Sequence, residues 1–303
     1  MQRYIGIEIG GTKLQVVAGD ATASILERRK YAVDRAQGAA GIRRQIQQGL
    51  GELTASQKPA AVGVGFGGPV DWKAGRICRS HHVQGWSEFD LGGWLAELTG
   101  APVFIDNDAN VAALGEARGG AGVGRNPAFY VTLGSGVGGG LVVDGRIYHG
   151  AMPGEAELGH VRLDRQGTTV ESRCSGWAVD ARIRALNTLE PYGILARLSA
   201  DAAGAEARHL IEALRQCDAT AVKILNEIAE DLAFGLSHVV HLFHPQVIVI
   251  GGGLSGIGEP LRAATARALS GFIMEAFRPG PEISLSKLGD DVVPAGALRL
   301  ACG

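Results

Sequence analysis

The run "YIGIEIGGTKLQVVAGD", residues 4–20, sets two apolar stretches on either side of a Gly-Gly-Thr turn. This pattern predicts two antiparallel strands joined by a tight turn. "ILERRKYAVD", residues 25–34, predicts a third strand of the same meander. Residues 38–54 then carry apolar side chains at helical spacing, and "AAVGVGFGG", residues 60–68, is typical of a short buried strand. The chain therefore begins with the order βββαβ.

The same order begins again in the second half of the chain. "PAFYVTLGSGVGGGLVVDGRIY", residues 127–148, predicts a strand, a glycine turn, a second strand and, after Asp144-Gly145, a third. The other predicted elements are a helix in 89–100, a strand in 101–106, a helix from Asp108 to a C-cap at Gly119, a helix in 218–243 with Val222 on its apolar face, a strand in 245–253 and a terminal helix in 292–301. The repetition indicates two copies of one unit.

Composition limits the classes of function. The chain has 303 residues, 46% hydrophobic and 20% charged, as expected for a globular protein with one large core or two moderate ones. Its net charge of -2 comes from 29 basic and 31 acidic residues that are intermixed, so nucleic-acid binding is not expected. The four cysteines are far apart, which argues against a disulfide framework. Without a targeting segment or a long apolar run, a cytoplasmic protein that does not contact membranes is expected.

The first glycine turn, turn 1 (residues 10–12), suits phosphate oxygens. Gly10 and Gly11 expose backbone N–H groups, Thr12 adds a hydroxyl, and Lys13 follows directly. A plain hairpin turn is the alternative.

Two further glycine turns follow core strands. Turn 2 (residues 134–136) comprises Gly134, Ser135 and Gly136, and it matches a GxGxxG pattern. A dinucleotide site of that type needs a helix directly after the glycines, whereas a strand follows here, so a phosphate-binding hairpin is the better interpretation. Turn 3 (residues 251–253) places Gly252 and Gly253 at the carboxyl end of a strand, where α/β sheets bind ligands.

Together these segments resemble the ROK family (repressor, open reading frame, kinase) of the actin, hexokinase and Hsp70 superfamily, over almost the full chain. The matching segments are "GIEIGGTK", "GFGGPVD", "DNDANVAALGE", "TLGSGVGGGLVVDGRIYHG", "GEAELGH" and "IVIGGG". The resemblance implies an α/β, two-lobe actin-like ATPase (ribonuclease H-like) fold with duplicated βββαβα units and a cleft. It implies an N-terminal lobe, 1–116, onto which a C-terminal helix, 291–303, packs back. A C-terminal lobe, 117–290, would bind adenosine and form a homodimer.

"FIDNDAN", residues 104–110, supplies the candidate catalytic group. Phosphoryl transfer to an alcohol needs a carboxylate near the attacking hydroxyl, and Asp108, at a strand-to-helix junction, is the candidate general base. A helix N-cap is the alternative role for Asp108. Asn107 can donate to and accept from sugar hydroxyls, whereas Asp106 and Asn110 are expected to be structural.

The resemblance also implies sugar contacts elsewhere in the chain. These are Gly67 in "GFGGPVD", Glu157 and His160 in "GEAELGH", and Glu171 ahead of a Ser-Gly segment. A solvated acidic turn is the alternative interpretation of residues 155–160.

Three features depart from the family pattern. Glu8 stands where most such kinases have aspartate, and it is a candidate for holding the Mg²⁺ of MgATP. No cysteine lies between His160 and Glu171, where relatives carry a zinc loop, so no structural zinc is expected. His81 and His82 are interpreted as loop residues, and sugar contact or metal binding are the alternatives.

The sequence therefore predicts an ATP-dependent kinase of a hexose or an N-acetylhexosamine, glucose being the most common acceptor in the family. One alternative is a sugar-responsive repressor, but such proteins carry a helix-turn-helix before turn 1, so DNA binding is not expected. The other is a catalytically silent sugar-binding protein.

Overall fold

Two five-stranded sheets organise the chain, of which the computed structural model describes residues 2–78, 83–152, 156–189 and 191–303. The strands are β1 (Tyr4–Ile9), β2 (Lys13–Gly19), β3 (Ile25–Ala32), β4 (Ala61–Phe66), β5 (Val70–Asp71), β6 (Arg76–Ile77), β7 (Val103–Asn107), β8 (Ala128–Leu133), β9 (Val137–Val143), β10 (Arg146–Ile147), β11 (Val247–Gly251) and β12 (Glu282–Leu285). The α-helices are α1 (Gly38–Thr54), α2 (Leu91–Thr99), α3 (Asp108–Gly119), α4 (Val170–Cys174), α5 (Gly176–Leu189), α6 (Ile194–Ser199), α7 (Leu210–Arg215), α8 (Ala219–Phe243), α9 (Glu259–Phe272) and α10 (Val292–Cys302).

The two sheets repeat one topology. The first has the order β3-β2-β1-β4-β7 and the second the order β10-β9-β8-β11-β12, so β8 takes the place of β1. In the first sheet β1 pairs antiparallel with β2 and parallel with β4, and β4 pairs parallel with β7. In the second, β11 pairs parallel with both β8 and β12. The duplication predicted from the two meanders is confirmed.

Contacts divide the chain into two compact units. Unit 1 comprises Met1–Val123, Gly140–Ala156 and Lys287–Gly303, and unit 2 comprises Gly124–Gly139 and Glu157–Ser286. Within unit 1, α1 and α2 cover the first sheet with a core that includes Trp86, which is 1% exposed. The residue bounds predicted for the two lobes, 1–116 and 117–290, stay predictions.

The C-terminal helix α10 packs on β1, β4 and α3 in unit 1. Glycines make this close approach possible: a Cβ on Gly63 would collide with the carbonyl oxygen of Ala297, and one on Gly296 with that of Val111. Among the described residues, no helix combines the length and the apolar character that crossing a bilayer requires.

Two details of the predicted helices were wrong. Val222 is 41% exposed, because the buried stripe of α8 begins at Ala221 and continues through Leu225 and Ile228, which leaves Val222 outside it. Gly119 is not the C-cap of α3, because the helix includes it and the N–H of Gly120 donates to the Glu116 carbonyl. The interpretation of His81 and His82 lies outside the described residues.

Candidate active site

The carboxyl ends of three parallel strands meet at one edge of the first sheet. The register sets Ile9 beside Phe66 and Phe66 beside Asn107. The next residue of each strand is therefore a predicted site residue: Gly10, Gly67 and Asp108. Ligands of α/β sheets bind at such edges, because backbone groups beyond the strand ends are not used by the sheet.

Gly67 and Asp108 are in direct proximity. The Gly67 N–H donates to the Ile9 carbonyl at 2.9 Å, which brings the end of β4 against the end of β1. A Cβ built on Gly67 would lie 3.3 Å from Oδ2 of Asp108 and 3.7 Å from Cα of Gly10. Asp108 itself is half-buried. The structure thus brings turn 1, Gly67 and the candidate base together within unit 1.

Asn107, not Asp108, caps α3. The Asn107 Oδ1 accepts from the N–H of Ala109 at 2.8 Å and of Asn110 at 3.4 Å. The N-cap alternative for Asp108 is therefore excluded, which leaves its carboxylate in the first turn of the helix, where the dipole favours negative charge. The Asn107 Nδ2 donates to the Gly68 carbonyl at 3.3 Å, a long bond. With its oxygen taken by the cap, Asn107 can offer a ligand only N–H groups.

Turn 1 and its surroundings carry a buried carboxylate. The Gly10 N–H donates to the Lys13 carbonyl at 3.0 Å, and Thr12 and Lys13 are exposed. Glu8 is 7% exposed; its Oε1 lies 3.1 Å from the Lys13 ammonium, and its Oε2 accepts from Gln15 Nε2 at 2.6 Å. Burial raises the pKa of Glu8, against the lowering effects of Lys13 and Gln15.

Glu8, near turn 1, has the donor chemistry to hold a magnesium ion through water. The Lys13 ammonium beside it lies on a side chain that is 47% exposed, so it could turn from Glu8 to a phosphate oxygen. No cluster of three or more histidine, cysteine, aspartate or glutamate side chains suited to a metal occurs in the described parts of the chain. The expectations about magnesium and zinc stay predictions.

In unit 2, turns 2 and 3 lie at one edge of the second sheet, where Thr132 of β8 pairs with Gly251 of β11. Gly252 has a φ of 80°, and a Cβ there would lie 2.6 Å from the backbone of Leu133, so only glycine fits. Gly253, the next residue along the chain, is exposed, and so is Ser135 in turn 2.

Glu171 joins turn 2 to the segment that carries His160. Its Oε2 accepts from the Val137 N–H at 2.9 Å and lies 2.6 Å from the position of a Cβ on Gly136. Gly159 packs between the Val137 carbonyl and the Glu171 Cβ. The structure therefore brings Glu171 to turn 2, a contact that the sequence did not suggest.

Glu157 is the N-cap and His160 the last residue of a short 3-10 helix, Leu158–His160. His160 Nε2 lies 3.9 Å from Glu157 Oε2, and the two side chains are 76% and 49% exposed, so both are available to a ligand. In the turn that follows, Asp164 Oδ1 accepts from the N–H groups of Gln166 and Thr168 at 2.8 and 3.0 Å.

Sequence reasoning missed His149, whose ring contacts Asp106. The two residues are 43 positions apart, so no local pattern could have linked them.

Comparisons with known proteins show the family to which the chain is similar. A model of the ROK family matches residues 4–303. The glucokinase of Thermotoga maritima is 30% identical over 98% of this chain and 96% of its own length, and the N-acetylgalactosamine kinase AgaK of Shewanella sp. is 29% identical over 99% and 97%. A solved ROK family glucokinase of Streptomyces griseus, in complex with glucose and AMPPNP, has a TM-score of 0.85 at 30% identity, with 99% of both chains covered. The predicted fold class, the two-lobe actin-like ATPase fold, is confirmed.

Proposed function

Because the chain belongs to the ROK family and is a carbohydrate kinase, we propose that it transfers the γ-phosphoryl group of ATP to a hydroxyl of a hexose or N-acetylhexosamine. The observation that carries the proposal is the meeting of Gly10, Gly67 and Asp108 at the ends of three adjacent strands. Glucose is the first acceptor to test, since a glucokinase relative matches over nearly the whole chain.

Asp108 acts as general base in this proposal. Its carboxylate accepts the proton of the attacking hydroxyl while that oxygen bonds to the γ-phosphorus and the bond to the β-phosphate oxygen breaks. Asn107 donates an N–H to a sugar oxygen and so fixes the acceptor beside Asp108. Gly67 leaves room for the sugar, because any side chain there would meet the Asp108 carboxylate.

Backbone and hydroxyl donors bind the nucleotide in the proposal. Residues 10–13 and 134–136 donate to phosphate oxygens, and Gly252 and Gly253 leave room for the adenosine. Mg²⁺, when bound, neutralises charge on the β- and γ-phosphates, and Glu8 is the carboxylate that would hold it through water. Glu157, His160 and Glu171 complete the sugar contacts.

The decisive experiment is a coupled ADP-release assay with MgATP and a panel of glucose, fructose, mannose, N-acetylglucosamine and N-acetylmannosamine. Asp108→Asn should lower kcat by about 10²- to 10⁴-fold on the preferred sugar. Asp90→Asn, at the N-cap of α2, is the matched control and should stay within about twofold, because asparagine caps a helix as well as aspartate. Full turnover by Asp108→Asn would remove the base from the mechanism.

A cytoplasmic homodimer is the expected state of the protein. Family membership implies the dimer, and analytical ultracentrifugation of the purified chain tests it.

A further inference from the structure

The buried carboxylate of Asp106 forms a pair with His149 next to the strand-to-helix junction at Asn107 and Asp108. The Asp106 Oδ2 lies 2.5 Å from the His149 Nε2, and the two side chains are only 3% and 17% exposed. The other oxygen of Asp106 accepts from the Asn107 N–H at 2.8 Å and from the Asn110 Nδ2 at 2.9 Å. One oxygen of the carboxylate therefore holds the backbone and the first turn that carry Asp108, and the other contacts His149.

The His149 ring is held by stacking on its face as well as by the contact of its Nε2 with Asp106. Its ring stacks on Trp72 with the ring centroids 4.1 Å apart and the planes 14° from parallel. Trp72 in turn has the Lys73 ammonium 5.3 Å from its ring centroid. A histidine that is stacked and hydrogen-bonded in this way has little rotamer freedom, so it can hold Asp106 in one orientation.

The segment that leads to His149 contacts α3. Gly140 packs against this helix, where a Cβ would lie 2.7 Å from that of Ala113, and the Gly145 carbonyl accepts from the Arg118 Nε at 2.8 Å. The segment 140–149 is thus attached near both ends of α3, and His149 makes the attachment at the end where the candidate base lies.

We propose that Asp106 and His149 are positioning residues for phosphoryl transfer, which hold Asn107 and Asp108 in the geometry that the attacking hydroxyl requires. The inference rests on the proposed function, in which Asp108 is the base. Displacement of a reacting group by about 1 Å can cost about 10²-fold in rate. A pair that fixes the junction at Asn107 and Asp108 therefore affects turnover more than it affects binding.

The test compares His149→Leu with His149→Gln in the same assay. Leucine fills similar space without a donor, and we expect kcat to fall by about 10- to 100-fold, with the KM for ATP within about threefold of native. Glutamine keeps an N–H that can reach Asp106, and it should recover kcat to within about fivefold of native. Arg184→Gln is the matched control, because it breaks the contact of Arg184 with the buried Glu206 in unit 2. It should lower the thermal midpoint and leave kcat unchanged.

Two outcomes overturn the inference. One is a His149→Leu enzyme with native kcat, whatever its thermal midpoint; the other is a His149→Gln enzyme as impaired as His149→Leu. Asp108→Asn, measured in parallel, separates this failure from failure of the proposed function. If Asp108→Asn is inactive and His149→Leu is fully active, the base stands and the positioning role falls. If Asp108→Asn is fully active, the general-base role that the proposed function gives to Asp108 falls, and the positioning role falls with it.

Discussion

Glu8 combines burial with a cationic neighbour, and burial dominates, so its pKa is raised above the ordinary value of 4.5. A carboxyl with a raised pKa in the folded state favours folding while it is protonated, and this contribution is lost as the pH rises through the folded pKa. Glu8→Gln should therefore unfold at a higher temperature than the native protein at pH 8, and the difference should shrink toward zero at pH 4. Thermal unfolding from pH 4 to 8 checks this.

Glu52 is the control, because its pKa is shifted in the direction opposite to that of Glu8. Its contact with Arg29 lowers the pKa of this exposed carboxyl, so its small contribution is present above pH 4.5 and lost as the pH falls. Glu52→Gln should thus be slightly less stable than native at pH 8. A Glu8→Gln protein that also loses stability at pH 8 would show that the Lys13 contact outweighs burial.

Glu171 should affect nucleotide binding even when no sugar is present. Its carboxylate accepts from the Val137 N–H beside turn 2, so Glu171→Ala removes the acceptor that shapes the turn. We expect the Kd for an ATP analogue, measured by calorimetry without sugar, to rise about tenfold, the effect of roughly one charge-assisted hydrogen bond. Gly136→Ala should act alike, because its Cβ would lie 2.6 Å from the same carboxylate oxygen.

The matched control for this effect is Glu157→Ala. Glu157 is also a proposed sugar contact, and its carboxylate lies beside His160 rather than turn 2. It should weaken sugar binding and leave the nucleotide Kd as in the native protein. Equal nucleotide affinity in Glu171→Ala and Glu157→Ala would reduce Glu171 to a sugar contact alone.

Single residues also show which details of the site could not be predicted from the sequence. A polar cluster after a buried strand was enough to place Asn107 and Asp108 at a strand-to-helix junction. Both residue types cap helices well, so the sequence could not decide which one does. The choice depends on backbone angles: Asn107 has the extended φ and ψ of an N-cap, and Asp108 begins the helix.

At the scale of elements, glycine has two roles that the sequence could not separate. The glycines of turns 1 to 3 lie at strand ends, as predicted. Gly63 lies inside β4, where its missing Cβ admits the backbone of α10. A glycine that admits a helix and a glycine that admits a phosphate look alike in a sequence, because both mark a close approach of backbone.

Gly63→Ala should destabilise the protein by about 1–3 kcal/mol or more, since the new methyl group collides with the Ala297 carbonyl, which cannot rotate away. Gly51→Ala is the matched control: Gly51 lies within α1, and its Cβ would meet no atom within 4 Å. This change should stabilise the protein by about 0.5–1 kcal/mol. Urea unfolding of both variants measures the two effects. A neutral Gly63→Ala would mean that α10 can shift away from β4 at no cost.

At the scale of the whole molecule, the chain passes repeatedly from one unit to the other. Two of these crossings, after Val123 and before Lys287, are separated by more than half of the sequence. Sequence patterns predicted the repeated unit. They could not predict what holds these two distant segments together, because that depends on the tertiary contacts of one side chain. That side chain is Glu116, at the end of α3 and 1% exposed.

Glu116 holds backbone from both crossings with one carboxylate. Its Oε2 accepts from the N–H groups of Ala121 at 2.6 Å and Lys287 at 3.3 Å, and its Oε1 accepts from that of Leu288 at 3.0 Å. Glu116→Gln replaces one acceptor oxygen with an NH₂ group, so in either orientation a donor faces a donor. The cost of one buried donor left without an acceptor is about 1–3 kcal/mol.

Because the lost contact ties segments that lead into and out of unit 2, we expect Glu116→Gln to reduce the cooperativity of unfolding as well as its midpoint. In differential scanning calorimetry, the van't Hoff enthalpy should fall below the calorimetric enthalpy relative to the native protein. Glu206→Gln is the control, since this equally buried carboxylate accepts from Arg184 and from the Gly204 N–H inside unit 2. It should lower the midpoint and keep the native enthalpy ratio. The same ratio in both variants would show that Glu116 stabilises unit 1 without coupling the two units.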